Sequence, residues 1–254
     1  SGMLLGKRMM GNIIVGGNNT GDKLIQPADI VNMNGGWSEM LSGDDPMASM
    51  RKTFADYAMM LDYRENVYSR NNGLVSLNTV STPGKNMKIL WNGMVGADRY
   101  RMKSIDHYAY HGGLAYTDST LELQDKRHFL SNIKFKLANQ KNMELTLTNR
   151  SYFGTTEGNT DRQLQSVGLN EQTKGRLATI NNALVWLCRH GKNVFSYKAD
   201  LNFLFSNNRY DFSSQPTPLF KSPALHSEMN IRRLEFAGSA QYVRRFADAY
   251  FLRI

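Results

Sequence analysis

The chain of 254 residues has one cysteine, Cys188, and six prolines, and it has no long hydrophobic run. A single thiol excludes an internal disulfide framework and cannot by itself build a metal knot. No segment approaches the roughly 18 consecutive apolar residues of a membrane-crossing helix, so a helical membrane protein is excluded. A membrane β-barrel is not, because its strands need only about 9–11 residues of alternating character. Carboxylates are outnumbered and the net charge is +9. Yet the basic residues are spread singly and never run longer than two, which argues against a nucleic-acid interface. The chain opens Ser1-Gly2-Met3 with no apolar signal core behind it, so any export signal is expected outside these residues.

Catalytic signatures are also lacking. There is no Gly-x-Ser-x-Gly elbow, no Cys-His pairing with local support, and no carboxylate pair placed for acid–base work. No catalytic residue, metal ligand or cofactor is predicted, and the chain reads as a non-enzyme. Gly16-Gly17-Asn18-Asn19-Thr20-Gly21-Asp22-Lys23 comes near a phosphate-binding loop, but Asp22 intrudes before the lysine and would repel a phosphate. It reads instead as a Gly/Asn loop with unusual backbone angles. His107 and His111 stand four apart, which would suit a metal on a helix. On a strand the same spacing puts them roughly 13 Å apart, too far for one ion. Asp44-Asp45 before Pro46 reads as loop chemistry. Cys188 alternates with Trp186 and Leu184, the pattern of a packed or lipid-facing thiol and not of a nucleophile.

What the chain has is alternation. In Val194–Ser206, Phe195, Tyr197, Ala199, Leu201, Phe203 and Phe205 point one way, and Ser196, Lys198, Asp200 and Asn202 the other. Asn86–Asp98 places Met87, Ile89, Trp91, Val95 and Ala97 on one face. Lys88, Asn92 and Asp98 take the other, with Leu90 and Met94 as exceptions. Ile133–Thr148 is a hairpin with Ile133, Phe135, Leu137, Met143, Leu145 and Leu147 on its apolar face. Lys134, Lys136, Glu144 and Thr146 make the opposite face. Arms at Lys85–Met102, Leu121–Ala138, Met143–Phe153, Arg176–Arg189, Val194–Ser206 and Glu228–Val243 exceed the usual 5–6 residues of a soluble strand. Shorter strands are expected at Met9–Val15, Asp56–Arg64 and Gly73–Ser81, and a large loop at Leu24–Arg51.

Tight turns are expected at Thr82–Lys85, Asn139–Asn142, His190–Asn193 and Arg245–Asp248. Between them lie polar links at Ser104–Thr120, Gly154–Gly175 and Asn207–Ser227, the last with Pro216, Pro218 and Pro223, which cannot donate to a ladder. Short turns on one side and long loops on the other are the habit of outer-membrane barrels. Tyr100, Tyr108, Tyr110, Tyr152, Phe153, Tyr210, Phe212, Tyr242 and Tyr250 gather near strand ends and read mostly as interfacial girdles. The expected fold is all-β, an antiparallel transmembrane β-barrel or part of one, with about 8–10 strands. Residues 1–254 make one barrel segment, with 1–56 irregular and 57–254 built of hairpin-and-loop modules.

Lys7-Arg8-Met9-Met10-Gly11-Asn12-Ile13-Ile14, Gly16–Gly21 and Asn72-Gly73-Leu74-Val75-Ser76-Leu77-Asn78 resemble the barrel part of TonB-dependent outer-membrane receptors, in the group with a carboxypeptidase-like regulatory domain. That resemblance implies a receptor in the outer membrane of a Gram-negative bacterium, importing a scarce nutrient such as a metal chelate or a glycan, which it binds through its long extracellular loops. It implies outer-membrane lipid as a partner. It also implies a surface lipoprotein and the TonB energy-coupling complex, both engaged through parts not in this chain. No plug domain is recognisable, and the strands fall short of the roughly 22 of such transporters, so the chain reads as a fragment, the early part of a barrel. A small complete barrel acting as pore, adhesin or structural element, and a soluble all-β carbohydrate-binding module, are the alternatives.

Overall fold

The computed structural model describes residues 2–19, 67–109, 115–139, 142–164, 167–215, 224–247 and 250–253. They form ten strands: β1 (Gly2–Leu5), β2 (Met9–Asn18), β3 (Val67–Gly84), β4 (Met87–Ala109), β5 (Ala115–Asn139), β6 (Met143–Leu164), β7 (Val167–His190), β8 (Asn193–Ser214), β9 (Ala224–Ala247) and β10 (Tyr250–Arg253). The strands make a single antiparallel sheet in chain order, each pairing with its sequence neighbours. The fold class is the all-β antiparallel one expected, and the sheet is open at β1 and β10 among the described residues.

Register follows from the alternation. A one-residue slip would move every apolar side chain to the other face, so the pattern fixes the pairing. Leu145 lies opposite Leu137 and Trp186, and Leu201 lies opposite Asn182 and Phe236. All six apolar residues of the hairpin at 133–148 share one face with Trp91, Phe195 and Phe203. Lys134, Lys136, Glu144 and Thr146 share the other with Asn92, Lys198 and Asn202. The hairpin between β7 and β8 closes on Gly191 at φ 58°, a left-handed angle that only glycine adopts without strain.

Three expectations need correction. The polar links at 104–120, 154–175 and 207–227 are mostly strand: β4 to β9 run 22 to 25 residues, well past the alternating arms. The connections that remain at that end are 110–114, 165–166 and 215–223, beside the longer 19–66. Apolar alternation stops where both faces are polar, but the backbone ladder continues. Gly16 and Gly17 are extended residues of β2, paired with Leu74 and Gly73, and make no special loop. Tyr100, Tyr108, Tyr152, Tyr210 and Phe212 lie on the polar face, opposite in parity to Phe129 and Phe153, so they form no girdle. The expectations at Leu24–Arg51, Asp56–Arg64, Thr20–Lys23, Asp44-Asp45, Tyr110, His111 and the three prolines from Pro216 lie outside the described residues.

Candidate functional site

The sheet buries the wrong face for a water-soluble protein. On the polar face, Arg70, Asn72, Ser76, Asp118, Glu122 and Gln124 are buried, together with Met94 and Tyr100 at 2% exposure. On the apolar face, Val95 is 55% exposed, Leu234 and Phe236 are each 70% exposed, and Ile133, Leu147, Phe153, Leu201 and Phe203 are also exposed. A few polar-face apolar residues, such as Val185, Ile231 and Met229, are exposed as well, the last two on the thinly covered β9. The apolar face forms a belt across the strands, exposed in part on β5, β6, β8 and β9 and half-buried on β7. It covers Phe129–Leu137 on β5, Met143–Phe153 on β6, Ala178–Cys188 on β7, Phe195–Phe205 on β8 and Leu234–Tyr242 on β9. Each stretch is nine to eleven residues long. At about 3.3 Å per residue and a tilt near 45°, that is a band roughly 24 Å tall.

Polar groups inside the belt satisfy one another. Trp91 Nε1 donates to Ser131 Oγ at 3.1 Å. Asn149 Nδ2 donates to Asn182 Oδ1 at 2.8 Å, and Ser151 Oγ donates back to Asn149 Oδ1 at 3.1 Å. Aromatics edge the belt: Trp186, Phe195, Tyr197 and Tyr242 toward the tight turns, and Phe129, Phe153 and Phe205 at the far edge. Trp186 packs edge-on to Phe195 at 5.5 Å, and Tyr242 donates to Asn193 Oδ1 at 2.8 Å. Cys188 lies in the turn-side edge, as its alternation implied.

On the polar face, the strands open a groove of about 770 Å³ beyond the belt. Lys126, His128, Tyr152, Thr156, Asn208 and Tyr210 contribute to its lining. Glycines floor it because a Cβ would collide with the side chains that lie across them. At Gly154, in its lining, a Cβ would come within 2.5 Å of the Tyr152 hydroxyl, and at Gly158, further along the same face, within 2.5 Å of Gln124 Nε2 and Thr173 Oγ1. Gln124 is buried, and its Oε1 has no partner atom. Near the strand ends, Arg162 Nε donates to both carboxylate oxygens of buried Asp118 at 2.9 Å, and its Nη2 donates as well. That hydrogen-bonded guanidinium holds the Asp118 carboxyl below the usual carboxylate range. Burial, aided by Glu171, pushes the Tyr210 phenol up. Arg70 and Asp98 pair beside Tyr100, whose ring has Lys126 at 5.4 Å and Arg70 at 5.9 Å from its centroid.

These groups can hold a polar solute by hydrogen bonds and ring contacts. The sequence placed no ligand residue here. The available signal was parity: His128 and Tyr152 alternate against Phe129 and Phe153, so they had to face the other way. His107 lies on β4, its Nδ1 3.1 Å from Thr117 Oγ1. Among the described residues, no three His, Cys, Asp or Glu side chains gather to hold a metal.

No protein-family profile matches the sequence, and no curated protein does. Among solved structures, the chain is similar in outline to the ferric yersiniabactin uptake receptor FyuA from Yersinia pestis. Identity is 9% and the TM-score 0.43, over 76% of this chain and 29% of that one. It is also similar to the RagAB peptide importer. The open-open state gives 6% identity and a TM-score of 0.39 over 97% of this chain and 41% of that one. The closed-closed state gives 10% and 0.39 over 92% and 40%. The chain thus spans less than half the length of each. These are likenesses of outline, too slight to carry weight.

Proposed function

We propose that this chain is wall from an outer-membrane β-barrel receptor of the TonB-dependent kind, importing a scarce nutrient in a Gram-negative bacterium. The observation that carries the reading is the inverted sheet: bulky apolar side chains are exposed across a band of bilayer height, while the face behind it carries half-buried polar groups such as Asn132, Lys134, Arg150 and Asn202. In water, a continuous apolar face of that size would drive association. In lipid it is the stable arrangement, and the ladder leaves no backbone group unpaired between neighbouring strands. The soluble binding module is disfavoured on the same ground. The polar groove bounded by Lys126, Tyr152 and Tyr210 is the proposed path or resting place for the solute. A metal chelate or a glycan is the class implied by the resemblance to these receptors.

The test uses the single native thiol. In a Cys188→Ser background, a nitrobenzoxadiazole probe on Leu201→Cys should be quenched by nitroxide-bearing lipid. The same probe on Asn202→Cys should be quenched by aqueous iodide. Quenching by iodide alone at both positions would reject the membrane wall.

A further inference from the structure

The belt ends differently at its two edges. Toward the tight turns the described strand residues carry one full cation on the apolar side, Arg244, beside a fringe of aromatics, and the turns themselves add Lys7, Lys85 and Lys192. Toward the far side the same face passes directly from Phe129, Phe153 and Phe205 into a collar of Arg99, Arg127, Lys174, Arg176, Arg209 and Arg232. Three carboxylates share those rows: Asp125, Glu157 and Glu228. Asp125 serves both Arg99 at 3.5 Å and Arg127 at 3.3 Å, Asp211 from the next row lies 2.8 Å from Arg209, and Glu157 lies opposite Lys174 and Glu228 opposite Arg209. Arg176 has only Thr155 and Asn207 as register neighbours. The collar therefore keeps an excess of positive charge at one edge of the belt.

Geometry adds shape to the charge. Just inside the collar lies an open apolar trough of about 780 Å³, with walls that include Val75, Val95, Phe129, Phe153, Ala178 and Phe205. Phe129 and Phe153 stack across it at 6.1 Å. Arg127 and Arg176 stand on its rim in one register row with Thr155 between them, two strand spacings or about 9–10 Å apart at the backbone. The Arg127 side chain is 73% exposed, and the Arg232 guanidinium lies 5.9 Å from the Phe205 ring centroid. Long cationic side chains rooted at an apolar edge reach outward to the headgroup level, and guanidinium suits phosphate oxygens by its forked donors.

We infer that this trough and rim form a lipid site: acyl chains lie against Val95, Phe129 and Phe153, and Arg127 and Arg176 hold phosphate groups of the headgroup, with the Thr155 hydroxyl between them. The site rests on the membrane-wall reading and deepens it. Free phosphate would use the rim and leave the trough empty, so the occupant is the lipid.

The full chain is reconstituted in phosphatidylcholine nanodiscs doped with lipid A or with enzymatically dephosphorylated lipid A, and bound lipid is read by native mass spectrometry. The wild-type chain should prefer the phosphorylated form. Arg127→Gln with Arg176→Gln should reduce that preference by about 25-fold, taking about fivefold for each cation at a membrane surface. The polar-face control Lys134→Gln should leave it unchanged. Equal retention of the two lipids by the wild-type chain, which needs no variant, would overturn the site, as would an equal loss in the Lys134 control. Displacement of lipid A by millimolar inorganic phosphate would show a bare anion site and overturn it too. A chain that fails to insert into nanodiscs at all sinks the membrane wall itself. Insertion without phosphate preference sinks the lipid site alone.

Discussion

Strand β8 holds two different sequences in one straight run. Phe195–Phe205 alternates apolar and polar with the one exception of Leu204, whereas Ser206–Ser214 (SNNRYDFSS) shows almost no alternation. Both halves carry an unbroken ladder to β7 and β9. The near half has two media to separate, so each residue's parity is dictated by the face it presents. The far half has polar groups on both faces and is held by polar pairs along and across the strands instead. Arg209 Nε lies 2.8 Å from Asp211, which also accepts from His226, and Asn170 Nδ2 donates to Asn159 at 3.0 Å and Asp161 at 2.6 Å. Periodicity reports a boundary between media, not the presence of a strand.

The sharpest way to break this comparison is to put a charge on the same face in each half. Leu201→Arg lies mid-belt and should cost about 2–4 kcal/mol in a lipid refolding titration. Asn207→Arg, on the same face of the same strand but beyond the belt, should fall within about 0.5 kcal/mol of the parent. Asn202→Arg, on the polar face beside Leu201, should also be mild. Comparable losses at 201 and 207 would mean that the two halves share one medium.

That difference also decides what could be read from the sequence alone. The facing of Trp91, Ile133, Leu145 and Leu201 was legible because each alternates with Asn, Lys, Glu or Thr across a boundary. The tight turn between β7 and β8 was legible from Gly191 and Asn193, whereas the turns expected at Asn139–Asn142 and Arg245–Asp248 lie partly outside the described residues. The far halves read as loops because Gly154–Gly175 offers no period to detect, and backbone pairing leaves no trace in composition. The tyrosines were misplaced for a related reason. Tyr100 and Tyr152 sit near the ends of alternating arms, but their parity with Leu130 and against Phe129 puts them on the packed face. Nothing in the sequence grouped Lys126 and His128 of β5 with Asn208 of β8, which meet only through register.

Next in size is a test of packing on the polar face. Gly158→Ala in the far half sets a Cβ 2.5 Å from Gln124 and Thr173, and it should destabilise by about 1–3 kcal/mol as an overpacked site. Gly73→Ala has nothing within 4 Å and should stay within about 0.5 kcal/mol. Thermal unfolding of both variants in the same detergent gives the contrast. A Gly158→Ala as benign as Gly73→Ala would show the far half to be loosely packed, with its groove able to reshape around a solute.

The smallest effect separates two aspartates of the far half by the face they occupy. Asp118 is buried on the polar face against Arg162, and Asp211 lies on the opposite face with His226 and Arg209. The carboxyl of each is held below the usual range, Asp118 chiefly by Arg162 and Asp211 chiefly by His226. A depressed carboxyl contributes stability that is complete above the ordinary aspartate value of about 3.9 and disappears as pH falls through the lower folded value. Asp118→Asn should therefore cost about 1 kcal/mol at neutral pH, discounted because the Arg162 side chain is 42% exposed. The gap between variant and parent should then close only below the ordinary aspartate range. Asp211→Asn loses a pair that water already screens, so its neutral-pH deficit should be smaller and should shrink further in molar salt. Hydrogen exchange along the β5–β6 ladder, followed from pH 7 down to pH 3, distinguishes them. If the two asparagine variants track each other at every pH and salt concentration, the polar face of the far half is as wet as its outside, and the groove there holds no solute apart from water.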